Sequence, residues 1–277
     1  MTELDFIPKQ YSKSIESGNV TWESPSNIAL VKYWGKKKDQ IPENPSISFT
    51  LNECKTITNL TFSKKEKTSS FQFDVFLEGN KKDEFKPKIE TFFKRIESFV
   101  PFLKSYRFKI ETSNTFPHSS GIASSASGMS ALALCLMSIE KELNPNLSDE
   151  FFKRKASFLA RLGSGSACRS IEGDLTVWGA SDVIEGSSNL YAIKYPYKVH
   201  EHFNGYQDTI LLVDRGEKQV SSTVGHNLMH GHPFANERFK QANANLERLK
   251  PILESGDLEA FIQVVENEAL SLHATTG

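Results

Sequence analysis

Three cysteines in 277 residues, Cys54, Cys135 and Cys168, and no C-x-x-C pair leave no material for a disulfide framework or a cysteine-built zinc site. This scarcity fits a reducing cytoplasm. A charge excess is also missing: 33 Lys plus Arg stand against 34 Asp plus Glu, so neither nucleic acid nor an acidic membrane surface is an expected partner. No apolar run is long enough to cross a bilayer, and residues 1–18 lack the basic-then-apolar layout of a signal peptide. G-x-x-x-x-G-K-[ST], G-x-G-x-x-G after a strand, H-E-x-x-H and G-x-S-x-G are all absent, which removes a P-loop, a dinucleotide fingerprint, a zincin helix and a nucleophile elbow. His226, His230 and His232 cluster as HNLMHGH without a carboxylate or cysteine set, so a loop role is expected there rather than a metal.

What is present begins with the stretch 114–143. It opens as a small-residue loop and becomes a helix in which Met129, Leu132, Leu136, Ile139 and Leu143 recur at three- and four-residue spacing, giving one apolar face. Ahead of that face lie Ser119, Ser120, Gly121, Ser124 and Ser125, too small to keep a ligand from the backbone. Free N–H groups at the positive end of a helix suit an anion such as phosphate; a packed helix start with serine caps is the competing reading. Upstream, Lys32 and Lys36 with Tyr33 between them suit a polyanion, or else form a basic edge strand in solvent. Downstream, GSGSACRS offers the hydroxyls of Ser164 and Ser166. Its Arg169 is either a bidentate fork for carboxylate or phosphate, or an ordinary surface ion-pair partner. Cys168 reads as a small buried thiol.

The remaining chain reads as intermixed strands and helices, an α+β fold. Residues 1–20 form a polar, partly ordered arm. Strands are expected at 28–34, 46–51, 57–62, 106–110, 175–178, 190–195 and 209–213. Phe71, Phe73 and Val75 lead into a hairpin turn at Glu78-Gly79-Asn80. Helices are expected at 86–100, at 149–162 capped by Ser148, at 234–255, and at 258–273 started by Asp257. A composition shift near 205–208 suggests a domain boundary that divides the chain into an N-terminal α+β part, 1–205, and a C-terminal α+β part, 206–277.

SNIALVKYWGKK, NPSISFTL, FPHSSGIASSASG and GSGSACRS, in this order, closely resemble the mevalonate diphosphate decarboxylases. VSSTVGH at 220–226 and EALSLHA at 268–274 extend the resemblance over nearly everything from Trp22 onward. That family sits in the superfamily of galactokinase, homoserine kinase, mevalonate kinase and phosphomevalonate kinase, and the resemblance implies a two-domain small-molecule-kinase-like fold with the active site between domains. It also implies ATP-dependent decarboxylation of mevalonate 5-diphosphate to isopentenyl diphosphate, with ATP and Mg²⁺ as cofactors, in a cytoplasmic homodimer. Carried over by motif position, Arg169 holds the substrate carboxylate and Ser164 and Ser166 contact substrate oxygens. Tyr33, Lys36 and Ser222 bind the diphosphate, Lys32 lies near the reacting centre, and Asn27 organises the site. Pro117, Ser119, Ser120, Gly121, Ala123, Ser124 and Ser125 cradle the ATP phosphates, with Ser124 at the metal. The family's orienting Asp, in a D-A-G-like motif near the C-terminus, is absent up to Gly277, and Asp174, Asp182, Asp214 and Asp257 stand in other contexts. His118 and His226 also stand where the family usually carries other residues. The expectation is therefore a fragment or truncated product, with two rivals: a related kinase that does not decarboxylate, and an inactive homologue.

Overall fold

The computed structural model describes residues 1–66, 70–117, 122–211, 229 and 231–276, with side chains to 271. Its spine is a long antiparallel pair, β1 (Ser17–Val31) and β2 (Ser46–Lys64), in register from Ser17↔Ser63 to Val31↔Ile47 with irregularities after Pro25 and Ala29. The other edge of β2 is shared. Its C-terminal half pairs with β5 (Tyr106–Asn114) and its N-terminal half with β6 (Leu175–Trp178). The strands β3 (Gln72–Leu77), β4 (Asn80–Lys81) and β7 (Ile193–Lys194) complete a mixed sheet in the order β4-β3-β5-β2-β6-β7, with β1 on β2.

Local chemistry explains most of these elements. The expected hairpin closes with Leu77 opposite Asn80, and both loop residues, Glu78 and Gly79, take positive φ, the twist a two-residue turn needs. Helix α1 (Lys86–Ile96) crosses from β3 to its parallel neighbour β5 and buries Ile89, Phe92, Phe93 and Ile96. It stops short of the expected Val100 because Pro101 disfavours helical backbone at the residue before it. Helix α3 (Asp149–Gly163) starts as read: the Ser148 hydroxyl accepts the Phe151 N–H at 3.2 Å. Helix α4 (Ala235–Ser255) ends on Gly256 in the left-handed conformation. Helix α5 (Leu258–Thr276) opens with Asp257 accepting the Ala260 N–H at 3.0 Å.

Several expectations fail for tertiary reasons. The polar arm is ordered: Phe6 is fully buried with its ring stacked on Phe158 at 4.4 Å, and β1 already begins at Ser17. The strands expected at 46–51 and 57–62 are one strand. Of 190–195 only Ile193–Lys194 joins the ladder, because side chains claim the carbonyls just before it. Trp178 Nε1 donates to Asn189 O (3.0 Å) and Arg161 Nε to Leu190 O (2.8 Å). Residues 209–211 are not strand, and 212–213 lie outside the described residues. Helix α2 (Ser124–Leu143) has no single apolar face: Leu134, Cys135 and Met137 are buried along with the expected stripe, since the sheet packs on one side and α3 on another. The larger core joins α1, α2 and α3 to one part of the sheet; a second core joins Leu30, Val31, Trp34, Ile47 and Val177 to α4 and α5.

Candidate active site

A cleft of about 740 Å³ opens between the sheet, α1, the start of α2 and the turn after α3. Its described lining includes Tyr33, Lys36, Ala123, Ser124, Ser125, Ser164 and Ser166, so three sequence segments read as separate candidates meet on one surface. Ser119, Ser120, Gly121 and Ser222 lie outside the described residues, as do His118, His226 and His230.

At the start of α2, Ala123 sits in the left-handed conformation and no described side chain caps the helix, whose first residues line the cleft. The next serines are consumed elsewhere. Ser127 bonds Thr56 (2.6 Å), Ser130 bonds Ser24, and the Ser26 hydroxyl donates to Ile122 O, riveting this helix end to β1 and β2. Of the described serines of the run, Ser124 and Ser125 line the cleft, and a Cβ added at Gly128 would meet nothing within 4 Å. The packed helix start is thus seen at Ser127 and Ser130, while Ser124 and Ser125 beside them line the cleft.

Lys36, Lys88 and Arg95 line the same cleft, and among the described residues no carboxylate comes within ion-pair distance of any of them. Lys36 is half-buried, and its ammonium is pushed down to about 8, first by burial and then by the neighbouring Arg95 and Lys88 cations. Lys88 and Arg95 share a stripe of α1 with Thr91 at spacings of three and four, on the edge away from the buried phenylalanines. Sequence reading missed both; the only signal was that polar stripe, which looks the same when it faces solvent. Gln40 was missed too. It lines the cleft with a buried Oε1 that has no hydrogen-bond partner among the described residues, on a loop where Asp39 and Gln40 both take positive φ and Arg161 donates to Asp39 O.

At the Tyr33 end the cleft meets a buried polar cluster. Arg169 is 3% exposed, which removes the surface ion-pair reading. Its Nε and Nη2 donate to Asn27 Oδ1 (3.3 and 3.2 Å), its Nη1 donates to the Ser46 hydroxyl, and its plane lies 5.5 Å from the Tyr33 ring centre and 5.9 Å from that of Trp178. Asn27 in turn donates to Ser170 Oγ (2.8 Å) and Ser166 O (3.1 Å). Burial lowers the Arg169 pKa and pushes the Tyr33 phenol up to about 12, so at neutral pH the cluster holds a cation and a neutral phenol. Gly165 lets this packing close: a Cβ there would meet Trp178 at 2.9 Å and the Tyr33 hydroxyl at 3.3 Å. Asn27, Lys32 and Arg169 do not themselves line the described cleft but stand behind Tyr33. Cys168 is the buried thiol expected, pushed up to about 12 by burial and donating to Gly165 O. No described group of three His, Cys, Asp or Glu could hold a metal.

Residues 24–189 match the model of the diphosphomevalonate decarboxylase-like N-terminal domain. The chain belongs to this family. Diphosphomevalonate decarboxylase of Gibberella zeae is 31% identical over 91% of this chain and 67% of the relative; that of Homo sapiens is 28% identical over 92% and 64%. The chain thus spans about two thirds of the length of these relatives. Among solved structures, MDDEF in complex with MVAPP, AMPPCP and magnesium superposes with a TM-score of 0.74 at 29% identity, covering 94% of this chain and 75% of that one. Mevalonate diphosphate decarboxylase from Staphylococcus aureus gives 0.72 at 30%, covering 94% and 74%. The α+β fold is that of these diphosphomevalonate decarboxylases, and all the described cleft residues fall within the stretch matched by the family model.

Proposed function

We propose that this chain carries the nucleotide- and substrate-binding part of an ATP-dependent mevalonate 5-diphosphate decarboxylase. The observation behind this reading is a buried guanidinium that has no carboxylate partner among the described residues, set behind a cleft whose cations likewise meet no described acid. Such charges are costly to desolvate and are kept where an anion completes them. The cleft's small residues and free helix start fit a triphosphate, and a solved family structure contains AMPPCP and magnesium. Because the described lining supplies hydroxyls rather than a set of acids, Mg²⁺ would be held mainly through phosphate oxygens and water, with Ser124 as its protein contact. When bound, ATP with Mg²⁺ supplies the phosphoryl group for the tertiary hydroxyl, whose phosphate then leaves as the carboxylate departs as carbon dioxide.

This chain's residues orient the substrate. Tyr33, Lys36 and Ser222 take the diphosphate, Ser164 and Ser166 the neighbouring oxygens, and Arg169, steadied by Asn27 and Ser46, the carboxylate. Lys32 stands near the reacting centre. Pro117, Ser119, Ser120, Gly121, Ala123 and Ser125 complete the cradle for the ATP phosphates. We divide the chain near residues 205–208 into this part and a C-terminal one. The reading includes a cytoplasmic homodimer; the free cysteines and the absence of any described helix long and apolar enough to cross a membrane are compatible with it. Incubation with mevalonate 5-diphosphate, ATP and Mg²⁺, with phosphate and carbon dioxide assayed separately, tests the proposal. Release of both supports it, phosphate transfer alone points to a kinase, and neither product with intact ligand binding points to an inactive homologue. Gel filtration with light scattering tests the dimer.

A further inference from the structure

Beyond Val31 the chain leaves the β1 ladder just before it delivers Lys32, Tyr33 and Lys36, so the backbone there needs other partners. Side chains supply them. Asn44, 2% exposed, accepts the Trp34 N–H at 3.0 Å and donates to Lys32 O at 2.9 Å. The Lys32 N–H instead donates to Glu268 Oε2 at 3.3 Å, across 236 positions of sequence. Glu268 on α5 is fully buried, accepts Asn245 Nδ2 of α4 at 2.8 Å, and lies 3.6 Å from Arg238 Nη2, whose guanidinium sits 4.0 Å over the Trp34 ring. The Lys32 amide supplies one of the donors this buried carboxylate needs, and the carboxylate in turn holds the strand end against the helix pair.

We infer that Glu268 is a positioning residue for the Lys32 end of the site, its carboxylate pinning the Lys32 backbone to the α4–α5 pair and so fixing where the Lys32 ammonium stands relative to Arg169. The charged groups facing that ammonium are Arg169 from the turn after α3 and Glu268 from α5, with Arg238 of α4 behind Glu268. Burial and Arg169 lower the Lys32 pKa and Glu268 raises it, so Glu268→Gln should lower it further. The role matters because of the decarboxylase reading, but the test uses neither nucleotide nor mevalonate compound. A chain that behaves as follows yet turns nothing over would sink that reading and leave this one intact.

The experiment compares the full chain with Glu268→Gln and Glu268→Leu. One readout is the pH dependence of acetylation of Lys32 by acetic anhydride, mapped by mass spectrometry. The other is amide hydrogen exchange along residues 30–34. In Glu268→Gln the acetylation midpoint should move to lower pH. Glu268→Leu should speed exchange at Lys32 by about tenfold or more, and Gln, which keeps an acceptor, should restore part of the protection. Either change confined to residues 30–34 supports the inference. An unmoved midpoint with unchanged exchange, or loosening spread evenly over α4, α5 and the sheet, overturns it; should the Leu variant fail to fold, the Gln variant decides alone.

Discussion

Two buried cations in this chain are treated in opposite ways. Lys155 on α3 is fully buried and meets Glu140 of α2 at 2.6 Å, with Phe99 O accepting a second bond at 2.8 Å. Arg169 is nearly as buried but, among the described residues, its guanidinium donates only to the neutral oxygens of Asn27 and Ser46. Burial alone lowers the pKa of both, yet at Lys155 the adjacent carboxylate opposes the effect, while at Arg169 only Cys168 and Tyr33, both neutral at pH 7, stand in that place. A cation completed by protein is architecture; one left short of a described acid, beside a cleft, suits the ligand charge proposed above.

The largest test of that contrast is Arg169→Ala. Turnover, measured as carbon dioxide release from an active form of the enzyme, should fall by about a thousandfold or more, and binding of mevalonate 5-diphosphate should weaken, while the secondary structure stays intact. Near-normal turnover would erase the distinction. Lys155→Met should do the reverse. It strands Glu140 and costs about 3–5 kcal/mol by urea denaturation, and the folded fraction should still bind substrate normally. The double variant Lys155→Met with Glu140→Leu should recover most of the loss, as expected when both charges leave together.

Lys36 sharpens the comparison from the cleft side. With a pKa of about 8, the ammonium proposed to hold phosphate is charged only below that pH, so nucleotide and diphosphate affinity by calorimetry should drop as pH rises through 8. The sign for folding is opposite. The folded value lies below the unfolded one, so the unfolded chain binds more protons between about 8 and 10.4, and this group's contribution to the ligand-free stability should rise over that range. The smallest effect is expected from Lys88→Ala at the solvent-open wall. Nucleotide affinity should fall by about tenfold or less, and the difference should shrink at high salt. A larger loss that persists at high salt would place Lys88 in direct contact with the ligand.

Much of this was readable from residue order. The Ser148 cap, the Glu78-Gly79 hairpin and the Asp257 start depend on partners within a few positions, and each formed as read. The motifs also named the family correctly, since they specify chemistry by residue type and spacing. What the chain could not reveal was which side of an element would be enclosed. The polar stripe Lys88, Thr91, Arg95 is a cleft wall only because β3, β5 and α2 enclose a hollow beside it. Arg169 is buried because Ser46, 123 positions away, and Asn27, 142 away, close over it. Lys32 is held by a carboxylate 236 positions distant. Local free energies are settled between neighbours along the chain and so are written in the order of residues. Burial, the loss of water around a charge and the meeting of distant side chains exist only once the sheet and helices have packed.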